Sequence, residues 1–293
     1  MQAELELDAR AMLGEGAFWC DKTQRLYWVE ITLGRIHIYD PVTRKDRVID
    51  VSASAGMVGT VIPRANGGLV LAAQKGFMTL DPQTGKIETL VDPESDKPQT
   101  RFNDGACDAK GRFWAGTMTF KGDPGQGALY RLDPDHTVHK MVDKISISNG
   151  IAWNDDSTKM YYIDTAANSV DVFDYDLAAG TVRNRQTIIR FEKSDGWPDG
   201  MTNDAEGMLW VCHWAGSAVT RWDPRSGKRL QKIEVPTGLV TSPAFGGKEM
   251  DTLFLTTARE GMSEDALKND PQAGGLFKCK PGVKGVALPH YAG

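Results

Sequence analysis

The sequence is short of the groups that most often announce a function. It has only four cysteines and five histidines among 293 residues. Cys20, Cys107, Cys212 and Cys279 lie far apart with no CxxC pair, which argues against a disulfide framework or a cysteine-based metal knuckle. They read as free, buried thiols of a reducing compartment, so a cytoplasmic location is expected. No apolar run approaches the ~18 residues of a membrane span. No basic run or basic amphipathic stretch suits a membrane surface. The opening MQAELELDAR lacks both a basic start and an apolar run, so no secretory signal is expected. A net charge of -5 excludes nucleic acid as the main partner. There is no GxSxG elbow. Gly14-Glu15-Gly16 precedes a strand pattern, not a helix, and is no nucleotide loop. His37, His136, His139 and His290 sit in strand or turn contexts with no acid paired to them in sequence, so a histidine-activated nucleophile is not expected. Helical periodicity is almost missing too: only Ser263–Asn269 reads as one or two turns.

What is present is repetition. Apolar cores ending in Trp28, Leu71, Trp114, Tyr162, Trp210 and Phe254 recur at spacings of 43, 43, 48, 48 and 44 residues. Turns of one kind run alongside, at Asp40-Pro41, Asp81-Pro82, Asp133-Pro134, Asp176-Leu177 and Asp223-Pro224. Aspartate opens such turns, proline presets their second position and glycine supplies positive φ. Each unit reads as strand, hairpin turn, strand, loop, strand, Asp-Pro turn, strand. Four short antiparallel strands at this period make a propeller blade. The chain therefore predicts an all-β, six-bladed β-propeller with four antiparallel strands per blade, in one domain over residues 1–293 at about 49 residues per blade. Glu4-Leu5-Glu6-Leu7 is expected to join Gly275–Cys279 in the last blade and close the ring. The aromatic residues of the second strands are expected to pack between blades, with Trp197 and Trp214 as candidates for lining a pocket.

Four units carry an oxygen-bearing side chain five or six residues before the hairpin turn: Glu15, Asn103, Asn149 and Asp199. Taken singly, these are ordinary turn residues. Taken in register, they start the innermost strands of blades 1, 3, 4 and 5 and converge on one mouth of the central channel. Two carboxylates with one or two amide oxygens form a hard, oxygen-only set suited to a divalent cation such as Ca²⁺, Mg²⁺ or Mn²⁺. Zn²⁺ and Fe²⁺ stay open; zinc usually recruits histidine or cysteine, and the nearest such residue, His213, lies in the following strand.

The ordered set Leu13-Gly14-Glu15-Gly16, Arg101-Phe102-Asn103-Asp104-Gly105, Ala115-Gly116-Thr117-Met118, Ser148-Asn149-Gly150, Pro198-Asp199-Gly200 and Ala273-Gly274-Gly275-Leu276-Phe277 resembles the regucalcin (senescence marker protein)/gluconolactonase family of sugar lactonases over nearly the whole chain. The resemblance implies a six-bladed propeller with one divalent metal ion in its channel, held by Glu15, Asn149 and Asp199. It implies that Arg101 and Asn103 hold sugar hydroxyls, and that the substrate is an aldono-1,4- or 1,5-lactone hydrolysed to its acid. Asp199 is then the expected base for the attacking water, and Gly200 is expected to let substrate approach. Where some members carry a substrate-contacting Glu after the Gly-Thr-Met stretch, this chain has Thr119, Phe120 and Lys121. Two other readings share the scaffold: a metal-dependent phosphotriesterase or esterase, and a calcium-binding propeller without turnover. A monomer acting on a small molecule is expected.

Overall fold

The computed structural model describes residues 1–293. Its strands form six four-stranded antiparallel sheets. The innermost strands are Gly14–Cys20, Val58–Pro63, Thr100–Cys107, Ser148–Trp153, Trp197–Asn203 and Val240–Gly246, which open blades 1 to 6. Each packs on the inner strand of both neighbouring blades, so the sheets close into a ring. The sixth blade takes its last two strands from the two chain ends: Leu276–Cys279 pairs with Glu4–Leu7. The molecule is the six-bladed propeller that the repeat spacing predicts.

Burial follows position in the blade. Inner strands are buried almost throughout, whereas outer strands such as Lys45–Asp50 and Thr181–Arg190 are mostly exposed and largely polar. Trp28, Trp114, Trp210, Tyr162 and Phe254 are fully enclosed between blades, as their recurrence implies. Two of these indoles are also tied down. Trp114 Nε1 donates to Asp108 at 3.0 Å and Trp210 Nε1 to Asp204 at 2.9 Å. Both aspartates have no solvent exposure, and each also receives an arginine, Arg112 at 2.6 Å and Arg221 at 2.7 Å. The Asp-Pro turns behave as their chemistry requires: the carboxylates of Asp40 and Asp81 accept from backbone N–H groups two and three residues on. The one helical stretch expected is present as Glu264–Asn269, capped by Ser263; a single turn at Ser52–Ala55 was not expected.

One irregularity recurs six times. Every inner strand breaks register with its partner near its start, between Glu15/Phe18, Val58/Thr60, Phe102/Gly105, Asn149/Ile151, Pro198/Met201 and Val240/Pro243. A bulge bends a strand and re-aims a side chain. Repeated around a ring, it turns one position of each blade toward the axis. Blade 2 places Gly59 there, where a Cβ would stand 2.4 Å from the backbone oxygen of Asn103, so this blade can offer no side chain.

The far end of the channel is crossed by the C-terminal segment. Gly285 bonds to blades 5 and 6, Tyr291 pairs beside Arg64 of blade 2, and Ala292 donates to Gly111 of blade 3. Val286, Leu288 and Pro289 roof a second cavity of about 310 Å³ at that end.

Candidate functional site

Glu15, Arg101, Asn103, Asn149 and Asp199 all line one cavity of about 420 Å³ at the channel mouth where the inner strands begin. All five are buried, none more than 9% exposed. Such a volume lies in the range of small-molecule sites. Trp197 and Trp214 stand at its wall, as expected, with Trp197 half exposed at the rim.

A chain of hydrogen bonds holds the polar groups across three blades. Arg101 Nη1 donates to Asn103 Oδ1 at 2.6 Å and to the carbonyl of Phe102 at 3.0 Å. Asn103 Nδ2 donates to the Ser148 carbonyl at 2.7 Å and to Asn149 Oδ1 at 3.1 Å. Asn149 Nδ2 donates to Thr165 Oγ1 at 2.7 Å, and that hydroxyl donates to the carbonyl of Pro198 at 2.8 Å. The network fixes which way each amide faces. Asn149 turns its nitrogen to Thr165 and so keeps its oxygen toward the channel, the orientation a ligand needs.

Glu15 and Asp199 meet beside Asn149. Both carboxyls are lifted well above the usual carboxylate range. Burial is the largest cause for each; the charge of Asp199 comes next for Glu15, and that of Asp104 for Asp199. Asp104 is itself pushed up to about 6 by burial, although the Gly105 N–H and Thr60 hydroxyl oppose this. Asp199 Oδ1 is buried with no hydrogen-bond donor. A buried carboxylate oxygen without a donor, next to a second carboxylate and an outward amide oxygen, is a poor arrangement for bare anions. It fits a divalent cation held by Glu15, Asn149 and Asp199. Arg101 does not neutralise the pair directly, because its Nη1 is taken by Asn103; its other donors are left for a ligand.

Three expectations need correction. Gly200 is not part of the cavity wall. A Cβ there would lie 2.8 Å from the backbone oxygen of Thr241, so glycine is required where blade 5 presses on blade 6. The histidines do have acids beside them: His37 Nδ1 lies 2.6 Å from Asp46, His139 Nε2 3.1 Å from Asp133 and His290 Nε2 3.5 Å from Asp21. These partners come from neighbouring strands, turns or the C-terminal segment, and none lies in the mouth cavity. His213, the nearest nitrogen donor, is fully buried, its Nε2 is bound to the Thr220 hydroxyl at 2.6 Å, and it lies outside the mouth cavity, so it adds nothing to the oxygen-only set.

Two residues of the site were not foreseen. Thr165 follows the second strand of blade 4 and orients Asn149. Glu260, in the loop after Thr252–Thr257, lines the rim and is the charge felt most strongly by Arg101. Neither belongs to the repeated inner-strand position, so no repeat marks them. On the side where some relatives place a glutamate, Thr119 is bonded to Asp123 and Phe120 is exposed outside the cavity.

The comparison with known families follows the same geometry. The profile described as SMP-30/Gluconolactonase/LRE-like region matches residues 13–259. The chain belongs to this family. It is 39% identical over 293 residues to YvrE of Bacillus subtilis (strain 168), a protein provisionally named as a sugar lactone lactonase, covering 100% of this chain and 99% of that one. It is 41% identical over 287 residues to regucalcin of Xenopus laevis, covering 96% and 95%. The crystal structure of regucalcin from Agrobacterium tumefaciens, described as a calcium-binding protein, superposes with a TM-score of 0.93 at 29% identity, covering 99% of this chain and 97% of that one.

Proposed function

We propose that the protein is a metal-dependent sugar lactonase that opens an aldono-1,4- or 1,5-lactone to its aldonic acid. The observation that carries this reading is the convergence of Glu15, Asn149 and Asp199 from three blades, with the donorless oxygen of Asp199 at its centre and the Arg101–Asn103 pair beside it. The name of the Bacillus relative supports the lactone substrate, and that of the Agrobacterium neighbour supports a divalent cation.

The chemistry divides among the residues. Glu15, Asn149 and Asp199 hold the cation. When bound, it supplies Lewis acidity to the lactone carbonyl and balances the two carboxylates. Arg101 presents its free guanidinium donors to ring hydroxyls or to the oxygen that gains charge. Asn103, oriented by Arg101, contributes from the same wall. Asp199 accepts the proton of the attacking water as the new C–O bond forms, and returns it to the ring oxygen as the ester bond breaks. Only Glu15 and Asp199 in this cluster have the capacity to accept a proton, since an amide cannot.

Leu13, Met118, Ile147, Trp197 and Trp214 give the cavity apolar surface as well, so the preference for a polyhydroxylated substrate over an apolar phosphotriester rests on the Arg101–Asn103 pair, and arginine donors facing the cavity have no role in a site that only stores calcium. The deciding experiment is hydrolysis of a panel of pentono- and hexonolactones, a lactone without hydroxyls and a phosphotriester, each with and without chelator. Chelator-sensitive turnover confined to the hydroxylated lactones is expected. Turnover of the phosphotriester alone, or none at all with metal supplied, would overturn the proposal. The four free, buried thiols suit a reducing compartment such as the cytoplasm; no helix is long and apolar enough to cross a membrane.

A further inference from the structure

The far end of the propeller gathers a second set of donor atoms, of a different chemical kind. Cys20 ends the inner strand of blade 1 and Asp21 opens the turn after it. His290 reaches them from the C-terminal strap, 270 residues away from Cys20 in sequence. Its Nε2 lies 3.7 Å from Cys20 Sγ and 3.5 Å from Asp21 Oδ1, and the three donor atoms lie within 4.8 Å of one another.

The arrangement around the ring decides what it is. In a nucleophile relay the thiol and the carboxylate occupy opposite ring nitrogens, the acid orienting one while the other serves the nucleophile. Here both face Nε2. Three donors turned toward one point form a ligand set. With Zn–S near 2.3 Å and Zn–N or Zn–O near 2.0 Å, adjacent ligands of a tetrahedral zinc stand about 3.3–3.5 Å apart. The two separations to Nε2 need a shift of only about 0.2 Å to meet that, and the Cys20 thiol and Asp21 carboxylate, within 4.8 Å of each other, close on the ion by a rotation of the half-exposed Asp21 side chain.

We propose that Cys20, Asp21 and His290 form a zinc site, completed by water, that pins the C-terminal strap to blade 1. The thiol is buried, the imidazole nearly enclosed and the carboxylate half exposed, which leaves one open side for the ion and its water. Phe18 meets the ring edge-on at 5.7 Å and fixes its tilt. Thiolate and carboxylate together match the charge of the ion, and binding releases the thiol proton. Sulfur, nitrogen and oxygen donors select a borderline metal, whereas the oxygen-only mouth suits a hard one. The two sites thus divide two kinds of cation between opposite ends of one channel. Zinc at the strap holds down the chain that roofs the 310 Å³ cavity.

Cobalt(II) titration of the metal-stripped full-length protein tests this without reference to turnover. A thiolate–cobalt charge-transfer band is expected to rise to one equivalent and to be displaced by zinc; the oxygen-only mouth site cannot give such a band. Cys20→Ser should abolish it, and His290→Gln should weaken cobalt binding at least about tenfold, on the scale of losing a ligand-orienting contact or more. Zinc should also slow carboxypeptidase trimming of the strap in the parent protein but not in His290→Gln, a readout that does not need Cys20→Ser to fold. A missing band, a band that survives Cys20→Ser, or trimming indifferent to zinc would each overturn the proposal.

Discussion

At the scale of single residues, Asp199 carries the heaviest assignment. Asparagine in its place keeps one ligating oxygen and nearly the same volume but removes the proton acceptor. A well-placed base is worth ~10²–10⁴ in rate. Asp199→Asn is therefore expected to lower kcat on that scale even at saturating metal, measured by lactone hydrolysis. If excess metal restored the parent kcat, Asp199 would be a ligand only and Glu15 the next candidate for the base. Arg101 should separate differently. It donates to Asn103 and ligates nothing, so Arg101→Ala is expected to cost about 1.5–3 kcal/mol in kcat/KM, the range of a charged hydrogen bond, while bound-metal stoichiometry stays unchanged. Equal loss on a lactone without hydroxyls would refute a role in polyol binding. Glu260 lines the same rim; if it binds the substrate's hydroxyls there, Glu260→Gln raises KM with little change in kcat, measured by lactone hydrolysis. Glu15, Asn103, Asn149 and Asp199 are legible as a set because four blades repeat one position, and Arg101 because it stands in a family motif beside Asn103; the structure brings all five to one cavity. Thr165 and Glu260 are not legible, because they sit in loops outside the repeat, where nothing in the spacing distinguishes them from solvent-facing residues.

At the scale of elements, the inner-strand bulge aims the site residues, and the aspartate knots brace the blades that carry them. The sequence shows the glycines at the bulges but not their purpose, because a glycine beside an acid reads equally well as a turn, as a route for substrate or as a close packing of backbones. The structure assigns Gly59 and Gly200 to the last. The knots are half legible: Asp108 and Asp204 announce hairpin turns, yet their bonds to Trp114 and Trp210 six residues on, and to Arg112 and Arg221, form only once the strands of the blade are paired, and Tyr175 reaches Asp108 from the next blade. Asp204 is fully buried, so Asp204→Ala would leave Arg221 and the Trp210 indole without their shared acceptor. Breaking a buried pair by removing one partner costs about 3–5 kcal/mol. Urea denaturation of Asp204→Ala should show a loss of that size. Replacing the exposed turn aspartate Asp81, whose bonds are to two local N–H groups, should shift the midpoint far less. Similar losses for the two variants would remove the knot from any account of blade stability.

At the scale of the whole molecule, the propeller stores unfavourable charge on its axis, and this fixes how metal, pH and stability are linked. Glu15, Asp104 and Asp199 all have their proton affinity raised in the folded state. An acid whose folded value is raised contributes stability that is full below its unfolded value, near 4, and lost as pH climbs through the folded one. For Asp104 that loss runs upward from the ordinary carboxylate range and is complete near pH 6, and the coupled pair loses stability in the same direction. The surface acids lowered by their turns, such as Asp40 and Asp223, act only below the ordinary carboxylate range and leave this window untouched. His213, pushed down to about 4 by burial, works in the opposite direction between that value and its usual 6.5. It does not line the mouth cavity, although its strand partner is Pro198 beside Asp199, and above its usual 6.5 it is neutral in both the folded and the unfolded chain and drops out of the comparison. A cation in the mouth must displace whatever protons Glu15 and Asp199 hold, and its affinity therefore falls as pH falls. The stabilisation conferred by metal, taken as the shift in urea midpoint between chelator and saturating calcium, should grow steadily from pH 5.5 to 8. Glu15→Gln should flatten that growth, since it removes one of the two competing protons along with one ligand charge. A metal-induced shift of the same size at both ends of the range would mean that the ion does not sit on the Glu15–Asp199 pair.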